Sequence, residues 1–273
     1  SHPQALIDLL IESVGKPRME AMLQANNEAP QTVVQVNTLR TTTQALAGIL
    51  EAEGIATQPH RWMSDCLTLS GTGSLEELES FQQGLFYVQD PAAKLAVLCA
   101  QLPQEEIQVL DCCAAPGGKS FAAAIAMAGK GQIHSCDIHY HKTALIQNGA
   151  DRLGITGIRV HQQDATVLNP QWQDAMDAVI ADVPCSGYGI IRKKPDIRYK
   201  DPRTMEDLPG LQLRILTCQA RYVKPGGILI YSTCTLLRRE NEAVVEAFLK
   251  ENPQYHLEPL PLPDSFGKNE SGM

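Results

Sequence analysis

Two cysteines and three aspartates hold the chemistry of this sequence. Cys185 lies in Asp182-Val183-Pro184-Cys185-Ser186-Gly187, and Cys234 lies in Tyr231-Ser232-Thr233-Cys234-Thr235. Each follows a short apolar run that reads as a strand. Asp137 closes the run 132–136, Asp164 follows the run 158–161, and Asp182 closes the run 178–181. A thiolate at a strand end is a nucleophile in waiting, although a cysteine taken alone more often packs a core. An aspartate taken alone more often caps a helix or solvates a turn. Three such acids at successive strand ends, beside a glycine loop, point instead to a nucleoside-type ligand.

That glycine loop runs Val109-Leu110-Asp111-Cys112-Cys113-Ala114-Ala115-Pro116-Gly117-Gly118-Lys119, between an apolar strand and an alanine-rich helix. Glycines let backbone approach a ligand, and a helix N-terminus offers free N–H groups. The loop carries neither G-x-G-x-x-G nor G-x-x-x-x-G-K-[ST], which counts against a dinucleotide and against ATP. Asp137 falls about 20 residues beyond the glycine pair, the spacing at which an acid accepts ribose hydroxyls, and Asp164 is placed to accept from an adenine amino group. S-adenosylmethionine fits this set better than NAD. A thiolate beside such a cofactor suits activation of a pyrimidine ring, because cytosine C5 is a poor nucleophile until something adds at C6. An acid near N3 stabilises the adduct.

The elements that must position these residues follow from periodicity. Residues 1 to about 30 read as helix, 32–36 as a strand, 41–53 as a helix capped by threonine and stopped by Gly54, with strands near 55–58 and 67–69 and a helix over 75–81. This predicts a small α/β module over residues 1–80. Residues 86–91 lead into a helix over 92–102. Beyond them strands at 108–111, 132–137, 158–161, 176–182 and 227–232 alternate with helices at 120–128, 140–153, 207–222 and 240–251. Such alternation predicts a Rossmann-like α/β domain over residues 81–273, a mostly parallel sheet with helices on both faces and ligands at the strands' carboxyl ends.

Composition narrows the class. An apolar share of 44% and a charged share of 20% are those of a globular protein, and no apolar run approaches a membrane span, so no membrane partner is expected. Eight cysteines occur without a C-x-x-C pair or a Cys/His ladder, which argues against a bound metal and suits a reducing, cytoplasmic location. A net charge of −8 argues against a simple nucleic-acid coat protein but leaves room for a local basic patch, for which Arg192, Lys193, Lys194 and Arg198 are the candidates.

Taken together, Ala114-Ala115-Pro116-Gly117-Gly118-Lys119, Asp182-Val183-Pro184-Cys185-Ser186 and Ser232-Thr233-Cys234 resemble the Nop/Sun family of RNA cytosine-5 methyltransferases. The stretch Gly189-Ile190-Ile191-Arg192-Lys193-Lys194-Pro195-Asp196-Ile197-Arg198-Tyr199 is similar to the bacterial Sun/Fmu (RsmB) type, which methylates 16S ribosomal RNA. Val36-Asn37-Thr38-Leu39-Arg40 and Val88-Gln89-Asp90-Pro91-Ala92 extend the likeness over nearly the whole chain.

The resemblance implies a set of roles. Cys113, Ala114, Ala115, Pro116, Gly117, Gly118 and Lys119 hold the methionine and ribose side of S-adenosylmethionine. Asp137 binds its ribose, Asp164 its adenine end, and Asp182 lies near its methionine moiety and the target base. Cys234 attacks C6, Cys185 assists proton removal or product release, the basic loop meets RNA phosphates, and residues 1–80 form a small α/β RNA-binding module. A monomer is the family default. The chain begins at Ser1-His2-Pro3, where the family's leading helical domain ends, and Phe266 to Met273 leave little for its closing strand, which implies a piece of a longer protein. Val183, Tyr188 and Gln35 depart from the family pattern. Alternatives are a DNA cytosine-5 methyltransferase using Cys185, a protein methyltransferase, which would carry Asn-Pro-Pro-Tyr at 182–185, and a non-catalytic RNA-binding module.

Overall fold

The structure is a computed structural model and describes residues 2–263 and Phe266. Helices α1 (Gln4–Val14) and α2 (Lys16–Ala25) form the predicted N-terminal helical region, broken at Gly15, whose φ of 80° ends the first helix. Leu6, Leu10 and Met19 pack on Tyr188, Ile191 and Ile197, so this helical pair braces the loop that carries the basic residues.

A four-stranded antiparallel sheet follows, built from β1 (Thr32–Val36), β2 (Ala56–Pro59), β3 (Cys66–Ser70) and β4 (Phe86–Val88) in the order β2-β3-β1-β4. Helix α3 (Thr43–Ala52) lies on one face, its Thr42 hydroxyl accepting from Ala45 N–H as the sequence predicts. Two expectations differ here. The helix over 75–81 is a single 3-10 turn and the short α4 (Glu79–Gln82), separated by an extended Leu78. Residues 86–88 are a strand rather than a lead-in: Val34, Gln35 and Val36 pair with Val88, Tyr87 and Phe86. This sheet therefore takes its edge strand from beyond residue 80, and the domain boundary drawn there falls inside it.

The second sheet holds β5 (Gln108–Asp111), β6 (Gln132–Asp137), β7 (Ile158–Gln162), β8 (Met176–Asp182) and β9 (Val223–Ser232), all parallel, in the order β7-β6-β5-β8-β9. The order reverses at β5, a topological switch point where ligands bind in such sheets. Successive side chains alternate between faces. Val109, Ile133, Ala178 and Ile180 face α5 (Pro91–Leu98), α6 (Gly118–Ala126) and α7 (Tyr140–Leu153). Ala181 packs on the other side with α8 (Leu208–Ala220) and α9 (Glu242–Glu251), while Leu110 and Val179 join Tyr222 there. Both faces are covered, which is why these strands read as unbroken apolar runs. No described helix is long and apolar enough to cross a membrane.

Candidate active site

The glycine loop leaves β5 and is laced to its neighbours: Cys112 N–H donates to Ile180 O and Ala114 N–H to Cys136 O. Gly117, at φ 117°, starts α6, and a Cβ there would lie 2.4 Å from the Phe121 ring. A Cβ on Gly118 would lie 2.9 Å from Gln89 Nε2. Gly117 needs glycine for its positive φ and for space, whereas at Gly118 the flexible end of Gln89 would have to give way. Beside them opens a cavity of about 190 Å³, lined by Cys113–Pro116, Gly118 and Lys119 of the loop together with Val88, Gln89, Ala93, Asp111 and Asp182. A larger cleft of about 480 Å³ sits at the α7–β7 edge and contains none of the motif residues.

The three acids differ in how they are held. Asp182 Oδ2 takes the Lys119 ammonium at 2.7 Å and its Oδ1 accepts from the Ser232 hydroxyl at 2.7 Å. Asp137 is buried, and its Oδ1 accepts from His139 N–H at 2.9 Å. Asp164 Oδ1 accepts from both N–H and hydroxyl of Thr166. Asp137 and Asp164 stand at the ends of β6 and β7, outside the wall of the small cavity, so only Asp182 shares it with the glycine loop.

The cysteines meet because β8 and β9 run in register, Asp182 beside Ser232, so that the two loops leave the sheet side by side. Cys185 Sγ and Cys234 Sγ lie 3.1 Å apart, and Cys234 N–H also donates to Cys185 Sγ at 3.2 Å. The hydrogen bond from the Cys185 thiol pulls the exposed Cys234 thiol down to about 7. Lys119 acts in the same direction, against burial and the Asp182 charge. Cys185 is pushed far up, by that same bond and by burial. The 3.1 Å contact lets one thiol donate to the other, and with Cys185 as the donor Cys234 is the more acidic of the two.

A buried polar network fixes both loops. The fully buried Glu240 Oε2 accepts from Ser186 N–H at 2.9 Å and from Gln212 Nε2 at 3.0 Å, and Gln212 Nε2 also donates to Pro184 O. The Ser186 and Thr235 hydroxyls lie 2.7 Å apart, tying one cysteine loop to the other.

The profile described as 16S rRNA methyltransferase RsmB/F matches residues 98–272. The chain belongs to the 16S rRNA methyltransferase RsmB/F family. A second profile, a Methyltr_RsmF/B-like ferredoxin-like domain, matches residues 2–76. The chain is 37% identical over 93% of its length to the "Probable ribosomal RNA small subunit methyltransferase B" of Bacillus subtilis (strain 168), and 35% identical over 94% to ribosomal RNA small subunit methyltransferase B of Vibrio cholerae. It spans 57% and 58% of those two relatives. The crystal structure of PH0851 superposes with a TM-score of 0.90 at 27% identity, covering 98% of this chain and 60% of that one.

S-adenosylmethionine is the cofactor of this RsmB/F family, and the residues present fit it. The loop beside the cavity is bare of side chains at Gly117 and Gly118, and two cavity-lining acceptors, Asp111 Oδ1 and Gln89 Oε1, are buried without a hydrogen-bond partner. No local spacing in the sequence marks Asp111, Gln89 or Glu240 as site residues. Gln89 stood in a quoted motif, yet nothing local shows that its side chain crosses from the first sheet to the second.

The basic loop is more committed than its composition indicates. Arg192 donates to Ala29 O and pairs with Glu28, Lys193 pairs with Asp90 at 2.6 Å, and Arg198 donates to Pro195 O. Lys194 is exposed and makes no side-chain hydrogen bond among the described residues.

Proposed function

We propose that this chain transfers a methyl group to C5 of a cytosine in small-subunit 16S ribosomal RNA, through a covalent bond between Cys234 Sγ and C6. The observation that carries this reading is the thiol pair: Cys234, held near 7 by Cys185 at 3.1 Å, on the loop that follows Ser232, whose hydroxyl bonds the cavity-lining Asp182.

The target base leaves its stack, or comes from a loop, to reach the strand ends. Cys234 thiolate attacks C6, forming the S–C6 bond and moving the C5=C6 electron pair onto C5 and toward N3. Asp182, set between Lys119 and Ser232, holds the base at its N3 edge. S-adenosylmethionine, when bound, would supply the electrophilic methyl group for C5, its S–CH3 bond breaking to leave S-adenosylhomocysteine. A base then takes the C5 proton, the electron pair reforms C5=C6, and Cys234 leaves. Cys185 lies within reach to assist that proton transfer and to steady the departing thiolate. Asp137 is assigned to the ribose and Asp164 to the adenine end. Lys194 and Arg198, with Arg192 and Lys193 behind them, are assigned to RNA phosphates, which position rather than specify. Residues 1–80, with the strand at 86–88, form the RNA-facing module, and the active unit is a monomer of the cytoplasm.

The reverse assignment, with Cys185 as nucleophile in the DNA-type manner, is disfavoured because that thiol is pushed up while Cys234 is pulled down. The test is transfer of labelled methyl from S-adenosylmethionine to a small-subunit RNA fragment, followed by digestion to nucleosides. Label in 5-methylcytidine, lost in Cys234→Ala, is expected. Label in another nucleoside, or full transfer by Cys234→Ala, overturns the reading.

A further inference from the structure

The segment 88–93 crosses from the first sheet to α5, and Gln89 sits at its centre. Its backbone is held from two sides. Gln35 Nε2 donates to Gln89 O at 3.1 Å, and the next residue, Asp90, caps α5 through Ala92 N–H at 2.8 Å while taking Lys193 at 2.6 Å. So anchored, the Gln89 side chain turns into the small cavity and lies over Gly118. Its Oε1 is buried and has no hydrogen-bond partner.

Asp111 lines the same cavity from the end of β5. It is fully buried. Its Oδ2 accepts from the Ser120 hydroxyl at 2.8 Å, and Ser120 in turn accepts from the Ser135 hydroxyl at 2.7 Å. Oδ1 has no partner. Buried acceptors without donors are rare and costly. Lys119, the cation lining this cavity, is spent on Asp182. Burial pushes the Asp111 carboxyl up to about 7 against the hydrogen bonds from Ser120 and the Cys113 backbone, so a cation arriving beside it would favour its charged form.

Two unpaired acceptors on one small cavity, one of them a carboxylate, call for a donor with several hydrogens and a positive charge. An ammonium has three donors and no acceptor. A carboxylate would be repelled by Asp111, and the acids assigned to the ribose and adenine stand at other strand ends. We infer that Gln89 Oε1 and Asp111 Oδ1 form an acceptor pair for a primary ammonium group. Resting on the reading of this cavity as the S-adenosylmethionine site, that group is the α-ammonium of the cofactor's amino-acid end. Gln89 is then a binding residue contributed from outside the sheet that holds the rest of the site.

Calorimetric titration of the chain tests this, with S-adenosylhomocysteine and with its analogue lacking the α-amino group as probes. The wild type is expected to prefer S-adenosylhomocysteine by at least about tenfold. Gln89→Leu should weaken S-adenosylhomocysteine by about tenfold and leave the des-amino analogue within about twofold, while Gln89→Glu, which keeps the acceptor, should keep the preference. Asp111→Asn should lower the same preference. Circular dichroism melts check folding, and Gln89→Met reads the same ratio should the leucine variant unfold. Equal losses for both probes, or no loss, overturn the inference. A wild type that binds both probes equally overturns the acceptor pair alone. A wild type that binds neither overturns the cofactor reading and this inference with it.

Discussion

Cys112 and Cys113 meet at the end of β5, and Cys185 and Cys234 meet at the ends of β8 and β9, so the same sheet edge carries two thiol pairs. Their sulfurs lie 3.8 Å and 3.1 Å apart. Cys112 is buried, and pairing with Cys113, burial and the neighbouring Asp111 and Cys136 push its thiol well up. Cys234 faces solvent, receives a hydrogen bond from Cys185 and has Lys119 nearby, and its thiol comes down to about 7. Residue type and strand-end position are shared. Both thiols meet burial and a carboxylate; at Cys234 the hydrogen bond from Cys185, helped by Lys119, outweighs them, whereas at Cys112 every neighbour acts upward.

The largest test of this contrast is activity. Cys234→Ala should cut single-turnover methyl transfer by at least about a thousandfold, whereas Cys112→Ala should stay within about threefold and cost only about 1 kcal/mol of stability. Comparable losses in both variants would erase the distinction. Next comes the scaffold. Glu240→Ala leaves Ser186 N–H without an acceptor and Gln212 Nε2 with Pro184 O alone, and should lower unfolding free energy by about 2 kcal/mol in a urea titration. It should also raise the Cys234 pKa as the loops loosen. An unchanged urea midpoint would show that the network does not hold the pair.

The smallest effect is the most specific. Because Cys185 lowers the Cys234 pKa, Cys234 should be alkylated by iodoacetamide with a midpoint near pH 7, the rate rising as pH rises through it. Cys185→Ala removes the donor, so the midpoint should climb toward the ordinary thiol value of about 8.5. Lys119→Met should move it the same way by less, since the ammonium contributes less than the thiol. A midpoint that falls in Cys185→Ala would reverse the assignment of donor and thiolate.

Much of this was legible in the sequence because the signals are local. Runs such as 178–181, buried on both faces, announce central strands, and a glycine pair after one of them announces a ligand loop. Adjacent loops at 185 and 234 follow from βα alternation, which sets neighbouring strands parallel. The failures are also physical. β4 has only three residues and gains its partners in β1, far away in sequence. β9 begins at Val223 rather than 227, because Pro225-Gly226-Gly227 reads as a breaker but is absorbed by a register shift against Met176 and Ala178. Gln89, Asp111 and Glu240 act through contacts between residues distant in sequence, as when Gln35 reaches Gln89 O, and no spacing encodes those. The basic loop looked free because its partners, Glu28, Ala29 and Asp90, lie in other elements.

The central claim is that Cys234 is the nucleophile and Cys185 its donor. Trapping tests it most directly: incubate the chain with S-adenosylmethionine and a small-subunit RNA fragment carrying 5-fluorocytosine, whose C5 fluorine cannot leave as a proton does, and look for a covalent protein–RNA complex. The account predicts a complex in wild type and in Cys185→Ala and none in Cys234→Ala. A complex that survives in Cys234→Ala and disappears in Cys185→Ala would contradict it.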